Sequence, residues 1–465
     1  MNEQPLRVPA SFRDPSGSVY THNGDLFRTV NAPYIPHYEQ LERSGLIREL
    51  WEKGSMIPFE EDRVPRIPGA WKTLRVRRIP FVSFPYEWSF SQLKAAALLT
   101  LDIQEAALQK GMTLKDASAY NIQFEGTKPI CIDCLSLEIL GEGAPWVAYA
   151  QFCRHFLAPL MLMAKVHLGA SLMLREHIDG IPLDVASAML PLRTFISPGV
   201  QLHLHAHARM QRKHEDSRRS AGKASTVKVS RSTLLALAQS LRSIIEGLQL
   251  PRVKTPWGDY YGDTNYSADA FEDKRTIVAG MLGRLTPASV LDLGANTGVF
   301  SRIVPTSAHM VIAADMDPLA VDRHYHTLRE EKLDRILPLV IDLSNPSPGI
   351  GWQNEERASF FDRCNVDAVL GLALIHHLCI GNNVPLPMTA RMFAALGRHL
   401  VLEFVPREDS QVQRMLATRA DVFDQYTLDA LQAAYDPYFT LMECKTVRDS
   451  KRALLLFARK GALAS

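Results

Sequence analysis

The stretch Val290–Phe300, VLDLGANTGVF, is an apolar run that ends in an acid and is followed by two glycines. A second phrase, VIAADMDP, begins about ten residues later and repeats the apolar run with an acid at its end. Apolar runs of this kind are typical of central parallel strands that are covered on both faces. Glycines after a strand let the backbone turn tightly and approach a ligand closely. The pattern predicts a ligand site at the carboxyl ends of the strands of an α/β sheet.

The chain from Val290 onward alternates strand-like and helix-like stretches. The predicted strands are SVLDLG, MVIAAD, ILPLVIDL, VDAVLGLAL and HLVLEFV. Helical stretches lie between them, TGVFSRIVPT and PLAVDRHYHTLREE among them, and YFTLMECKTV with RALLLFARK predicts a closing hairpin. The alternation predicts a doubly wound α/β domain.

The acids at the strand ends indicate what the ligand carries. DLGANTG is not the dinucleotide fingerprint GxGxxG, and Asp292 in front of the loop would repel a pyrophosphate. Asp315 is placed to accept both hydroxyls of a ribose, and Asp342 to accept from an exocyclic amine. An adenosine with a cationic amino-acid tail fits all three acids. The alternative is that each acid is a helix cap or turn residue after its strand.

Five segments in this order resemble the class I S-adenosylmethionine-dependent methyltransferases: VLDLGANTGVFSRI, VIAADMDPLAV, VIDLSNP, VDAVLGLALIHHL and HLVLEFVP. The resemblance runs from about Thr255 to Lys460, and the lead-in TPWGDYYGDTNYSADAFEDKRTIVAGML is similar to that of a bacterial subgroup labelled after nodulation proteins. It implies a seven-stranded Rossmann-like sheet with S-adenosyl-L-methionine as cofactor. The cofactor-binding residues that it implies are Asp292, Gly294, Ala295, Asn296, Gly298, Asp315, Met316, Asp342 and Leu343.

Candidate catalytic residues follow the fourth and fifth strands. GLALIHHL lacks the Asn/Asp-Pro-Pro-aromatic motif with which the family serves exocyclic base amines, so such acceptors are not favoured. His376 or His377 is a candidate general base for a hydroxyl or similar acceptor, and Glu403 is a second candidate. Alternatively, a histidine caps or packs the next helix. An aromatic group before the fold either covers the cofactor or is ordinary packing: Trp257, Tyr260, Tyr261 and Tyr266.

The N-terminal half has a motif order of its own. SFSQLKAAALLTLDIQEAALQKG predicts an amphipathic helix closed by Gly111. Asp116 and Asn121 follow in a loop, and Asp133 comes after two predicted strands. This order resembles protein-kinase-like and aminoglycoside-phosphotransferase-like folds, which implies that Asp116 orients an acceptor hydroxyl and that Asn121 and Asp133 hold magnesium.

The sequence departs from that second resemblance at several points. It has no Gly-rich loop and no VAIK-like lysine, Arg28 being the nearest basic residue in a plausible strand. Leu114 stands where the HxD motif has its histidine, and DCL replaces DFG. FVSFPYEW is expected to be the hinge strand, WVAYAQFCRHFLAPLMLMAKVHLG the following core helices, and GDLFRTVNAPYIPHYEQLERSGL part of a small N-lobe. The half is therefore predicted to be an α+β domain with a degenerate kinase-like fold.

Length and composition set the outer bounds. A chain of 465 residues is expected to form two domains, and 46% hydrophobic with 22% charged residues is typical of a soluble globular protein. A net charge of +2 gives no specific signal for nucleic acid. The six cysteines are too scattered for a disulfide framework, and Cys131 with Cys134 is better explained as a buried strand end than as a metal site. Without an apolar leader or a span of eighteen apolar residues, a cytoplasmic protein is expected.

A charge-dense segment, Arg209–Ser232, is nearly without large apolar residues and is predicted to be a linker. The predicted domains are therefore residues 1–208 and 233–465. The three histidines of LHLHAHARM would share one face of a strand, but a helix end is preferred because no carboxylate or cysteine lies nearby to complete a metal site. TLLALAQSLRSIIEGLQL after the linker predicts an amphipathic helix ending near Gly247.

The predicted function is transfer of a methyl group from S-adenosylmethionine to a small-molecule or glycan-like acceptor. One alternative is a bifunctional enzyme whose N-terminal domain is a phosphotransferase. Another is a methyltransferase-fold protein whose N-terminal domain is a binding or scaffold module. No metal site is predicted, and the identity of the acceptor and the oligomeric state stay open.

Overall fold

The computed structural model describes residues 4–63, 67–209, 228–251, 255, 267–417 and 425–461. The chain forms two compact units, one of residues 1–253 with 349–357 and one of residues 254–348 with 358–465. Most of the predicted linker and the four aromatic residues at 257–266 lie outside the described residues.

The helix Arg231–Gly247 was expected in the C-terminal domain, and the structure places it in the first unit. Arg242 Nη2 lies 2.6 Å from Asp102 Oδ1, and its Nε lies 3.1 Å from Glu105 Oε1, both on the helix Phe90–Gln109. Lys94 of that helix donates to two carbonyl oxygens at the C-terminal end of Arg231–Gly247. These bonds join two helices that lie far apart in the chain.

The second unit contains the predicted sheet. Its strands are β10 (Ser289–Leu293), β11 (Met310–Asp315), β12 (Ile336–Val340), β13 (Val366–Gly371), β14 (Gly397–Phe404), β15 (Phe439–Thr446) and β16 (Ala453–Arg459). The order is β12-β11-β10-β13-β14-β16-β15, with β16 antiparallel to both of its neighbours and the other pairs parallel. The direction of winding reverses between β10 and β13, where such sheets bind ligands. The predictions of a doubly wound, seven-stranded Rossmann-like sheet and of a closing hairpin are confirmed.

Helices cover this sheet, and one core lies beneath them. The α-helices are Ala268–Leu285, Val299–Ile303, Pro318–Glu331, Phe360–Arg363, Leu386–Leu396, Ser410–Leu416 and Leu428–Tyr435. Val278, Val290, Val311 and Leu370 are fully buried in a cluster that joins the first helix to β10, β11 and β13. The apolar runs predicted central strands covered on both faces, and the buried residues of these strands agree with that prediction.

The first unit begins with a five-stranded antiparallel sheet, whose strands in spatial order are Leu6–Arg7, Val19–His22, Asp25–Asn31, Ala70–Val76 and Phe59–Asp62. The strands of the unit are β1 (Leu6–Arg7), β2 (Val19–His22), β3 (Asp25–Asn31), β4 (Phe59–Asp62), β5 (Ala70–Val76), β6 (Met112–Leu114), β7 (Ile122–Glu125), β8 (Lys128–Cys131) and β9 (Leu137–Ile139). Its α-helices are Ile35–Arg43, Leu46–Glu52, Phe90–Gln109, Tyr149–Phe152, Ala158–Lys165, Met173–Glu176, Leu183–Met189, Pro198–Val200 and Arg231–Gly247. The unit is α+β, as predicted.

Residues 81–88 were expected to form a hinge strand, and this prediction is wrong. The segment has no strand and contains a 3-10 turn at Pro85–Glu87. Ser83 N–H donates to Gln123 Oε1 at 2.9 Å, and Phe84 N–H donates to Glu87 Oε2 at 2.9 Å. Side chains thus take the backbone hydrogen bonds that a sheet partner would have used.

Smaller predictions for the first unit are confirmed. Cys131 ends β8, and both it and Cys134 are buried with free thiols. The segment with the three histidines is helical, as a π-helix over Gln201–Ala206.

Across the described residues of both units, no helix is both long enough and apolar enough to cross a membrane.

Candidate functional site

The loop after β10 has the backbone geometry that its glycines predicted. Gly294, Asn296 and Gly298 have φ of 72°, 50° and 74°, in the left-handed region that glycine and asparagine adopt most readily. The N–H groups of Gly294 and Ala295 donate to the carbonyl oxygen of Ala314 at the end of β11. The loop is therefore fixed to the neighbouring strand, at the carboxyl edge of the sheet.

A cavity of about 330 Å³ lies at this edge of the second unit. Carboxylates on its wall come from β10, β11 and the segment after β12, and the preceding helix and the segment after β13 contribute both apolar and polar side chains. Its lining comprises Phe271, Lys274, Asp292, Gly294, Ala295, Asn296, Phe300, Asp315, Met316, Ile341, Asp342, Leu343, Ser344, Leu372, Ala373, Leu374, His377, Leu378, Gly381 and Asn382. The cavity lies where the strand order reverses.

Two carboxylates on the wall are buried and already hold their neighbours. Asp315 accepts from the N–H of Asn296 through Oδ2 and from the N–H of Asp317 through Oδ1, each at 2.8 Å. Asp292 Oδ2 accepts from Ser301 Oγ at 2.6 Å. Burial raises the pKa of Asp292 to about 6 and that of Asp315 to about 6. Each carboxylate oxygen has a second lone pair, so further donors from a ligand can still be accepted.

The third acid is less enclosed. Asp342 Oδ1 accepts from the N–H and the hydroxyl of Ser344, at 2.8 and 2.6 Å. Asp342 is thus a turn residue, the alternative that the sequence left open, and it lines the cavity as well. Asp317, two residues beyond Asp315, caps the helix Pro318–Glu331 through its Oδ1 and is not on the cavity wall.

The structure brings all but one of the predicted cofactor-binding residues together on the cavity wall. Asp292, Gly294, Ala295, Asn296, Asp315, Met316, Asp342 and Leu343 all line the cavity. Gly298 does not, and an added Cβ there would overlap the buried ring of His324. Glycine is therefore required at position 298 for two reasons. Its φ is positive, and any side chain would displace the ring of His324, which packs against the loop from the helix behind it.

Of the three candidate catalytic residues, only His377 lines the cavity. It begins a π-helix, His377–Gly381, and burial lowers its pKa to about 4, so its imidazole is neutral at pH 7. His376 is 2% exposed, and its ring centroid lies 4.1 Å from that of His377. Burial lowers the pKa of His376 well below its usual value. Its position favours the packing alternative.

Glu403 is fully buried in β14 and is absent from the cavity wall. Its Oε2 lies 2.6 Å from Lys274 Nζ and accepts from the N–H of Ala373 at 2.8 Å. Its Oε1 lies 3.4 Å from Arg452 Nη1. A carboxylate between two cations is a poor proton acceptor, so its position does not support the predicted role of general base.

Sequence reasoning missed part of the cavity. Lys274 is 3% exposed on the helix before β10, and its Nζ lies 4.7 Å from the ring centroid of Phe300. Phe271, one turn earlier, packs edge-on against Phe300 with the centroids 5.9 Å apart. The one signal for Lys274 was a lysine among the apolar positions of a helix. That signal does not decide the question, because solvated and buried lysines look alike in a sequence.

The N-terminal motif residues also meet, in the first unit. Arg28 Nη2 on β3 lies 2.6 Å from Asp133 Oδ1, and both side chains are 12% exposed. Asp133 Oδ2 accepts from Ser136 Oγ at 2.7 Å, and Ser136 Oγ accepts from the Asn121 amide at 3.1 Å. Burial raises the pKa of Asp116, which a hydrogen bond from Asn121 opposes. The cluster follows the predicted order, but its arginine already neutralises the acid that would hold magnesium.

The three-histidine segment forms no metal site. His203 bonds to the hydroxyls of Tyr149 and Ser240, at 2.8 and 2.9 Å. His205 bonds to those of Ser187 and Thr194, at 2.8 and 2.9 Å. Over the described residues, no group of three His, Cys, Asp or Glu side chains is arranged to hold a metal ion.

Comparison with known proteins gives one relative along nearly the whole chain and several solved structures that cover less than half of it. No family model matches the chain. The nodulation protein NoeA of Rhizobium meliloti (strain 1021) is 34% identical over 465 residues, which cover 98% of this chain and 97% of the relative.

The solved structures correspond to less of the chain. The N-methyltransferase NodS from Bradyrhizobium japonicum WM9 is 12% identical with a TM-score of 0.32, covering 42% of this chain and 99% of that one. Magnesium protoporphyrin IX methyltransferase (ChlM) from Synechocystis PCC 6803 with bound SAH is 17% identical with a TM-score of 0.31, covering 44% and 92%. The bifunctional kinase-methyltransferase WbdD is 16% identical with a TM-score of 0.29, covering 44% and 43%.

Proposed function

The chain belongs to the family of the nodulation protein NoeA, and we propose that its second unit is an S-adenosylmethionine-dependent methyltransferase that acts on a small-molecule or glycan-like acceptor. The observation that carries the proposal is the convergence of Asp292, Asp315 and Asp342 on one cavity at the switch point of a class I methyltransferase sheet.

The residues present fit S-adenosyl-L-methionine. Asp315 lies on the cavity wall, where its carboxylate can accept from ribose hydroxyls in addition to the N–H groups of Asn296 and Asp317. Asp342 is placed to accept from the adenine amine. Met316, Ile341 and Leu343 form an apolar wall beside Asp342, which suits a flat aromatic base. Asp292 supplies negative charge near the cationic tail.

When bound, this cofactor supplies a methyl group on a sulfonium sulfur, which keeps the electron pair of the broken bond when the acceptor atom takes the methyl carbon. The protein's part is to hold and orient both reactants. Its own residues bind the ribose, the base and the cationic tail, and so fix where the methyl group lies in the cavity.

The acceptor enters on the side of the segment after β13. Leu374, His377, Leu378, Gly381 and Asn382 line that part of the cavity. The neutral His377 imidazole can accept a hydrogen bond from an acceptor hydroxyl and orient it, whereas a pKa of about 4 makes it a weak proton acceptor at pH 7. An uncharged hydroxyl-bearing or amine-bearing molecule suits this wall.

The experiment compares Asp315→Ala with Asp317→Ala. The first removes two charge-assisted hydrogen bonds to the cofactor, each worth about 1.5–3 kcal/mol, so affinity for S-adenosylmethionine should fall by about two orders of magnitude or more. The second removes a helix cap, which should cost about 1 kcal/mol of stability and leave affinity nearly unchanged. Calorimetric titration of both variants measures the dissociation constants.

Equal losses in the two variants, or a larger loss for Asp317→Ala, would contradict the assignment of Asp315 to the ribose. Absence of any heat and of any thermal shift with S-adenosylmethionine in the unmodified protein would contradict the proposed function itself.

A further inference from the structure

A row of buried charged side chains lies behind the cavity in the second unit. Besides the two ion pairs of Glu403 with Lys274 and Arg452, Arg452 Nε lies 2.8 Å from Asp409 Oδ2. The side chains of Lys274, Glu403 and Arg452 are each at most 3% exposed. Of the four residues, only Lys274 reaches the cavity wall. Ions this deeply buried persist only when they are paired.

Glu403 also holds a turn of backbone that forms the wall. The N–H of Ala373 donates to its Oε2 at 2.8 Å. Ala373 has φ of 49°, in the left-handed region, which is unfavourable for alanine because of its Cβ. The turn comes directly after β13 and contributes Leu372, Ala373 and Leu374 to the cavity. A strained turn at a binding site needs surrounding contacts that keep it in place.

We infer that Glu403 is a positioning residue, whose carboxylate keeps the Ala373 turn in the left-handed conformation that shapes the wall of the cavity. The inference rests on the proposed function, because it takes the cavity to be the site of S-adenosylmethionine. Lys274 and Arg452 hold the carboxylate between them, so its Oε2 stays aimed at the Ala373 N–H. Glu403 therefore acts through the turn and does not touch the reacting atoms.

A merely structural ion pair would make a different prediction. Glu403 could instead serve only to join β14 to the helix Ala268–Leu285. In that case, the loss of affinity for S-adenosylmethionine on removing the Glu403 charge would not depend on the residue at position 373. If Glu403 maintains the turn, a residue that adopts positive φ without strain should make the carboxylate less necessary. Glycine is that residue.

The experiment measures the dissociation constant of S-adenosylmethionine by calorimetry in Glu403→Gln, alone and combined with Ala373→Gly. Glutamine has a single acceptor oxygen, which cannot serve Lys274, Arg452 and the Ala373 N–H together. We expect about tenfold weaker binding in the single variant and recovery to within about threefold of the unmodified protein in the double variant. Glu408→Gln, an exposed carboxylate on the segment after β14, is the matched control and should bind normally.

Normal binding by Glu403→Gln, or no recovery on adding Ala373→Gly, would overturn the inference. Failure of the unmodified protein to bind contradicts the proposed function instead, so the two failures are distinguishable. If circular dichroism shows that Glu403→Gln does not fold, Glu403→Gln/Arg452→Gln takes its place, since it removes one buried anion together with one buried cation. The same recovery with Ala373→Gly is then expected, and its absence equally overturns the inference.

Discussion

At the scale of single residues, the charged forms of two acids that cofactor binding needs are less favourable for the stability of the fold than their protonated forms. Asp292 and Asp315 each have a pKa of about 6, raised because burial disfavours their charged forms. An acid whose pKa is higher in the folded than in the unfolded state stabilises the fold when it is protonated. That contribution is lost as the pH rises from about 4 to about 6. Binding of ribose hydroxyls and of a cationic tail needs the charged forms, which are present above pH 6.

We therefore expect affinity for S-adenosylmethionine to be constant above about pH 7 and to fall about tenfold per pH unit below pH 6, or more steeply if both acids must ionise. Calorimetry between pH 5 and 8 measures this dependence. 5′-Methylthioadenosine, which has the same ribose and adenine but lacks the amino-acid tail and the sulfonium charge, separates the two acids: a parallel fall assigns the effect to Asp315, and a weaker fall assigns part of it to Asp292. An affinity that does not change between pH 8 and 5 would contradict the assignment of these carboxylates.

At the scale of elements, the first unit depends on a buried ion pair that joins β3 to the segment after β8. Arg28 and Asp133 are each 12% exposed, and Asp133 also caps the turn that follows by accepting from the N–H of Leu135. Loss of one partner leaves the other charge buried and unpaired, which costs far more than loss of a solvated pair.

Asp133→Asn should therefore lower the free energy of unfolding of the first unit by about 3 kcal/mol. Glu60→Gln is the matched control, since the Arg75–Glu60 pair joins two strands of the same unit with side chains that are 45% and 70% exposed. It should cost less than about 1 kcal/mol. Urea denaturation followed by tryptophan fluorescence measures both, because five of the six tryptophans belong to this unit. Similar costs for the two variants would contradict the assignment of Asp133 to a stabilising buried ion pair.

At the scale of the whole molecule, the helix Arg231–Gly247, which follows the charged segment 209–232 in the chain, belongs to the first unit. The composition of the charged segment predicts early cleavage by trypsin, as for a linker. The helix Arg231–Gly247 after it is bonded to the helix Phe90–Gln109 before it.

We accordingly expect limited trypsin digestion to give two fragments on a denaturing gel that elute together from a size-exclusion column under native conditions. Arg242→Ala, which removes the bonds to Asp102 and Glu105, should weaken this association relative to the unmodified nicked protein. Separate elution of the two fragments without any mutation would restore the boundary predicted at 209–232. First cleavage outside that segment would contradict the linker prediction.

Local patterns in the sequence determined the sheet of the second unit and most of its candidate site. Apolar runs with an acid at the end set where β10 and β11 stop, because strand formation and turn chemistry depend on neighbours in the chain. In a parallel sheet those ends meet at one edge, so Asp292 and Asp315 could be placed together before the structure was known.

Only the tertiary structure decided which charges are buried and paired. Lys274 and Glu403 lie 129 positions apart, and the sequence around neither residue indicates that its charged side chain is buried. Residues 349–357, between β12 and β13 in the chain, belong to the first unit, where Glu356 accepts two hydrogen bonds from Arg13. In the segment 81–88, the N–H of Ser83 likewise donates to Gln123, which lies 40 positions away. Such pairings depend on which distant surfaces pack together, and the periodicity of one segment carries no information about the partner that it meets.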